Sequence, residues 1–260
     1  MAKTVIAFDL YGTILSTESI SRELEGFYGP EKAKVIASQA RRYQLEYTWR
    51  SNSMGTYAQE YLINLWSSDG PKGMYRPFDV LTRCSFHHAA AEAGVQITPA
   101  QEQAIMKAYN GLDAFPDVQA ALDLISKSQT LEAWIFSNGT ESMITSSVET
   151  SRGLATASSP DTVSAAQIVS IDRLGVYKPS PKTYQHMVAT TDRQDAPEKV
   201  WLVSSNPFDA LGAVAAGMSS VWVDRGETGW IDGLSEALDV RPTVVVHGVD
   251  EAVEHILKQI

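Results

Sequence analysis

The stretch VIAFDLYGTI, residues Val5–Ile14, decides how the chain is read. Four apolar residues form a short run without the strict alternation of a half-buried strand, as expected of a strand covered on both faces. The run stops at one acid, Asp9, and Gly12 follows where a tight turn is needed. A carboxylate at the carboxyl end of a buried strand, with free turn amides after it, sits where open α/β sheets bind ligands. Taken alone, Asp9 is equally readable as a turn aspartate. The segments further along the chain decide between the two.

Five more β-branched or apolar runs alternate with helical patterns: Leu131–Phe136, Ile168–Ile171, Val200–Val203, Ser220–Val223 and Thr243–Val246. This alternation predicts parallel α/β organisation. One helix is expected to open at Asp117, with Val118, Leu122 and Ile125 on one face. Another runs from about Phe208 through Ala216 and stops at Gly217. The block from about Ser16 to Tyr109 carries helical patterning without a convincing strand. Within it, Glu31–Arg50 places Val35, Ile36, Ala40 and Tyr43 on roughly one face. The expected architecture is a Rossmann-like parallel sheet core, residues 1–15 and 111–260, with an inserted helical cap domain over residues 16–110. Ser67–Pro77 and Ser151–Gln167 read as polar connections.

The 260 residues are 44% hydrophobic and 20% charged, ordinary for a globular enzyme. A net charge of −10 argues against nucleic-acid and anionic-membrane partners. No apolar stretch reaches the roughly 20 residues of a membrane span, and MAKTVIAFD lacks the long apolar region of a signal peptide. One cysteine, Cys84, excludes an internal disulfide and fits a reducing compartment, so a cytoplasmic location is expected.

Three later segments repeat the pattern set by Asp9. WIFSNGT (Trp134–Thr140) ends a strand in Ser137 and Asn138. GVYKPSPKTY (Gly175–Tyr184) places Lys178 in extended backbone before Pro179. VWLVSSNPFD (Val200–Asp209) ends in Ser204, Ser205 and Asn206, with Asp209 one turn into the next helix. Individually these are turn and cap chemistry. Four strand ends furnished with polar groups in one chain point to a single anion-binding, carboxylate-bearing site.

In this order, the segments resemble the haloacid dehalogenase superfamily, and more closely its type II L-2-haloacid dehalogenases. The carriers are FDLYGT (Phe8–Thr13), RRYQLEYTW (Arg41–Trp49), SNG (Ser137–Gly139), YKP with Tyr184 six residues after the lysine, and SSNxxD (Ser204–Asp209). The resemblance implies a metal-independent hydrolase without a cofactor. Asp9 would be the nucleophile that forms an ester, and Arg41 would receive the halide. Thr13, Lys178, Ser204, Asn206 and Asp209 would serve the hydrolysis of that ester. The Leu10 and Tyr11 amides, with Ser137 and Asn138, would hold a substrate carboxylate. Arg42, Leu45, Phe78, Tyr184 and Phe208 would complete the substrate pocket. The implied reaction turns an L-2-haloacid into a D-2-hydroxyacid, and the implied partners are a small 2-substituted carboxylic acid and a homodimeric second copy. No metal ligands are expected.

Tyr11 stands where phosphatases of this superfamily keep a second acid, and Ser205 where one of their metal-binding acids would be. A hard divalent cation needs several oxygen ligands, so the Mg²⁺-dependent phosphatase is the more distant alternative. A nearer one is ring opening of L-azetidine-2-carboxylate, which keeps the carboxylate anchor but needs a proton for its leaving amine. The chain departs from the dehalogenase pattern in an extra segment near Gly55–Tyr75, in Arg42 where glutamine is usual, and in Phe208 where tryptophan is usual.

Overall fold

The computed structural model describes residues 3–62, 75–154 and 167–260, with the side chains of 55–62 outside the description. Most of the extra segment near Gly55–Tyr75 and of the connection Ser151–Gln167 therefore lies outside the described residues.

All six expected strands form. β1 (Thr4–Phe8), β2 (Leu131–Ser137), β3 (Ile168–Ser170), β4 (Val200–Ser204), β5 (Ser219–Val223) and β6 (Val244–Val246) make one sheet in the order β3-β2-β1-β4-β5-β6. Every neighbouring pair is parallel. β4 is buried at every position and β1 at all but its first, so both faces are covered, as the unbroken apolar runs require. Burying Val5 and Ile6 completely contributes roughly 1.5–3 kcal/mol each before ordering costs.

Between Ser16 and Tyr109 the described residues form α1 (Ser21–Tyr28), α2 (Pro30–Leu62), α3 (Phe78–Glu92) and α4 (Pro99–Tyr109). α4 starts on a capping box, with Thr98 and Gln101 each satisfying the other's backbone amide. α2 packs on α1 and α3 through Ala33, Ile36, Ala37, Ala40 and Tyr43. Val35, expected on that face, is instead 51% exposed. The i, i+3, i+4, i+7 stripe set by Ala33, Ile36, Ala37 and Ala40 passes it by.

The remaining α-helices among the described residues are α5 (Val118–Lys127), α6 (Glu141–Thr150), α7 (Pro181–Thr190), α8 (Pro207–Ala215), α9 (Leu234–Leu238) and α10 (Val249–Leu257). α5 packs against α10, and α7 against α8, which lies on β4 and β5. Strand order reverses direction at β1, so the carboxyl ends of β1, β2 and β4 share one crevice, with α2 reaching the same edge through Arg41.

Candidate active site

Parallel registry brings the strand ends together. Phe8 pairs with Ile135 on one side and Val203 on the other, so Asp9, Ser137 and Ser204 leave the sheet at nearly one level. Asp9 is 7% exposed. Its Oδ2 accepts from Asn206 Nδ2 at 2.7 Å, Thr13 Oγ1 at 2.8 Å and Ser204 Oγ at 3.4 Å. Its Oδ1 faces the Lys178 ammonium at 3.4 Å. Thr13 in turn accepts from the Ser205 amide at 2.9 Å, which locks the turn to β4.

Lys178 is 1% exposed and lies between two carboxylates, with Asp209 Oδ2 at 2.9 Å. It also donates to the Phe136 carbonyl at 2.7 Å and sits over the Phe136 ring. A buried ammonium is tolerable only with such partners. Asp209, fully buried, accepts from Tyr184 Oη at 2.8 Å. Burial raises the Asp209 pKa above the carboxylate range, helped by the charge on Asp9 and opposed by Lys178 and the Tyr184 hydrogen bond. Burial, then the Asp209 charge, also pushes the Tyr184 hydroxyl far up, so it stays protonated and can donate to Asp209.

Asn206 occupies the N-cap position of α8, yet its side chain makes no cap bond. The amide is diverted to Asp9 and accepts from Arg41 Nη2 at 3.2 Å. A local rule given up at a strand end is a mark of function. Arg41 comes down from α2 and donates to the Tyr11 carbonyl at 2.7 Å and to Gln44 Oε1 at 2.7 Å. Gly12 lies beside the Arg41 guanidinium, and its φ of +92° is a backbone conformation that favours glycine.

Asp9, Tyr11, Arg41, Leu45, Phe78, Ser137, Asn138, Lys178, Asn206 and Phe208 line one cavity. Among the described residues the Leu10 and Tyr11 amides have no hydrogen-bond acceptor, which leaves two donors at the strand end. Ser137 Oγ accepts the Gly139 amide at 3.1 Å, and Asn138 Oδ1 accepts the Lys178 amide at 3.0 Å. Thr13 and Ser204 stand behind Asp9, holding it.

Two expected pocket residues lie elsewhere. Arg42 is exposed, donates to Tyr43 Oη at 2.8 Å and covers the Tyr43 ring, because one residue along a helix turns the side chain about 100° away from Arg41. Tyr184 is sealed behind Asp209 rather than facing the cavity. Leu10 is wholly buried, so only its backbone is available to a ligand.

A family model for haloacid dehalogenase-like hydrolases matches residues 3–217. The chain belongs to the haloacid dehalogenase-like hydrolases. It is 28% identical to (S)-2-haloacid dehalogenase 2 of Pseudomonas sp. (strain CBS-3), over 95% of this chain and 92% of that protein. It is 30% identical to (S)-2-haloacid dehalogenase 1 of the same strain, over 84% of this chain and 83% of that protein. Its fold is similar to that of L-2-haloacid dehalogenase from Xanthobacter autotrophicus with chloropropionic acid covalently bound, at a TM-score of 0.77 and 24% identity, covering 99% of this chain and all of that one.

In this haloacid dehalogenase-like hydrolase, three supporting residues escape the sequence reading. Gln44 holds Arg41 and donates to Thr82 Oγ1 at 2.7 Å and Tyr109 Oη at 3.0 Å. Its signal was present, since it lies three residues after Arg41 on one helix face. Arg225, at the end of β5, donates to the Thr13 carbonyl at 2.8 Å and to Ser205 Oγ at 3.2 Å, and pairs with Asp117 at 2.8 Å. VWVDR is a further strand ending in polar residues, the same signal as the others. Asp117 sits at the N-cap of α5 but makes no cap bond there, serving Arg225 and the Val249 amide instead. Among the described residues no group of three or more His, Cys, Asp or Glu side chains is arranged to hold a metal ion.

Proposed function

We propose that this hydrolase cleaves the carbon–halogen bond of L-2-haloacids and releases D-2-hydroxyacids through an ester on Asp9. The observation that carries the reading is the asymmetry of that carboxylate. Three donors converge on Oδ2, whereas Oδ1 has a single long contact, with Lys178, and so keeps a lone pair for attack. The names of the relatives, (S)-2-haloacid dehalogenases over most of their length, support the same substrate class.

In the first step the Leu10 and Tyr11 amides, with Ser137 and Asn138, hold the substrate carboxylate. Asp9 Oδ1 attacks C-2 opposite the halogen. The C–O bond forms as the carbon–halogen bond breaks, and the halide leaves with the electron pair toward Arg41. In the second step a water attacks the Asp9 carbonyl carbon. Asp209 takes its proton, and a carboxylate whose pKa burial has raised is a better base than an ordinary one. The acyl C–O bond breaks, the departing alkoxide takes the proton that Asp209 received, and the hydroxyl added to Asp9 loses its proton to solvent, which regenerates the carboxylate. One inversion at C-2 gives the D product.

The helical block of residues 16–110 acts in this reading as a cap that carries Arg41, over a core of residues 1–15 and 111–260. Halide needs no proton, whereas a ring amine does, and Arg41 keeps its protons at any working pH. The lysine between Asp9 and Asp209, at 3.4 Å and 2.9 Å, supplies both carboxylates with their counter-charge.

The test is chloride release from each enantiomer of 2-chloropropionate in EDTA. Release from the L form alone is expected. Equal release from both enantiomers, or activity confined to p-nitrophenyl phosphate with Mg²⁺, would contradict the reading.

A further inference from the structure

The small cavity around Asp9 adjoins a far larger chamber. The inner cavity holds about 10 Å³, and the chamber about 800 Å³. Leu45, Asn206 and Phe208 line both. The shared wall therefore contains the side chain that bonds Asp9, through Asn206 Nδ2. The chamber's other walls are mainly apolar and include Trp49, Pro181 and Leu234. Trp49 meets Phe208 edge to face, with centroids 5.3 Å apart, yet remains 40% exposed. Large apolar side chains left open beside a reacting centre form a surface for a ligand to cover. Among the described residues neither lysine nor arginine lines the chamber, and Asp232 is the charged group there.

An inner space of about 10 Å³ has room for little more than one water, so a substrate's carboxylate and C-2 already exceed it. A substituent on C-2 must then extend past Leu45 and Phe208, which line both spaces. Resting on the dehalogenase reading, we infer that the chamber is a subsite for that substituent. The substrates this chain handles best are then 2-haloacids with an extended alkyl or aryl group, and Trp49 and Phe208 determine the specificity. The acidic, apolar lining disfavours a second carboxylate on the tail. Trp49 is one of six tryptophans to which the sequence alone gives no role.

The experiment measures halide release by the full chain along L-2-bromoalkanoates from propionate to octanoate, with L-2-bromo-4-phenylbutyrate and 2-bromohexanedioate alongside. Burial of one methylene corresponds to roughly fourfold in affinity. kcat/KM is expected to rise by about that factor per carbon until the chamber is filled, and the phenyl acid to stay high. The diacid is expected roughly tenfold below bromohexanoate. Trp49→Ala should lower the octanoate-to-propionate ratio of kcat/KM about tenfold, a ratio independent of how much of the variant is folded. Turnover of bromopropionate with a flat or falling series, or an unchanged ratio in Trp49→Ala, overturns the subsite while leaving the dehalogenase reading intact. Halide release from none of these acids overturns both.

Discussion

Lys178 holds two carboxylates apart inside the protein, and its removal separates its structural from its chemical work. Lys178→Met leaves Asp9 and Asp209 facing each other without a counter-charge, with an expected loss of about 3–5 kcal/mol in urea unfolding at neutral pH. Without the ammonium the folded pKa of Asp209 rises further above its unfolded value. The folded state then holds the proton to higher pH, so the loss should deepen as pH rises through that pKa and shrink in acid. Tyr184→Phe acts on the same carboxylate more gently. It removes a hydrogen bond that favours the charged form, so the acid limb of the kcat profile should move to higher pH while the alkaline side changes little. An unmoved acid limb would mean that Asp209 is not the group titrating there.

The positions of the helices relative to the sheet edge account for how these side chains stay in place. Tyr184 on α7 packs against Gly212 on α8 so closely that a Cβ on Gly212 would collide with the ring and its hydroxyl. Gly212→Ala should therefore destabilise the protein by roughly 1–3 kcal/mol and reproduce the pH shift of Tyr184→Phe. Arg225→Lys keeps a charge but loses the fork that ties Thr13, Ser205 and Asp117. A kcat reduced about tenfold or more, with KM little changed, would report misplacement of Asp9 rather than lost substrate binding. Much of this framework was legible in the sequence. Each expected strand formed, because parallel strands buried on both faces leave unbroken apolar runs, and polar residues at their ends marked the site. Arg42 and Tyr184 were misplaced because neighbours on a helix point about 100° apart and because a buried tyrosine can serve a carboxylate instead of a ligand. The support Gln44 gives Arg41 and the pairing of Asp117 with Arg225 are not legible from residue type alone, because a glutamine in a helix and an aspartate at a helix start have ordinary roles.

Across the whole molecule, a net charge of −10 surrounds a site that must attract an anion. Arg41 and the strand-end amides supply the local positive field, the amides at the carboxyl end of β1 between β2 and β4 and Arg41 from α2. Raising salt should therefore weaken substrate capture only modestly, since the anchoring groups are partly buried and short-ranged. Inside that frame the account stands on Asp9 becoming covalently attached to substrate. Asp9→Asn should lower kcat roughly 10⁴-fold or more, but loss of activity alone does not distinguish a nucleophile from a base. The decisive measurement is a single turnover of L-2-chloropropionate in ¹⁸O-water with enzyme in excess, followed by mass spectrometry of the Asp9 peptide and of the hydroxyacid. One heavy oxygen in Asp9 and none in the product is the expected result. Heavy oxygen in the product, with Asp9 unlabelled, would contradict it.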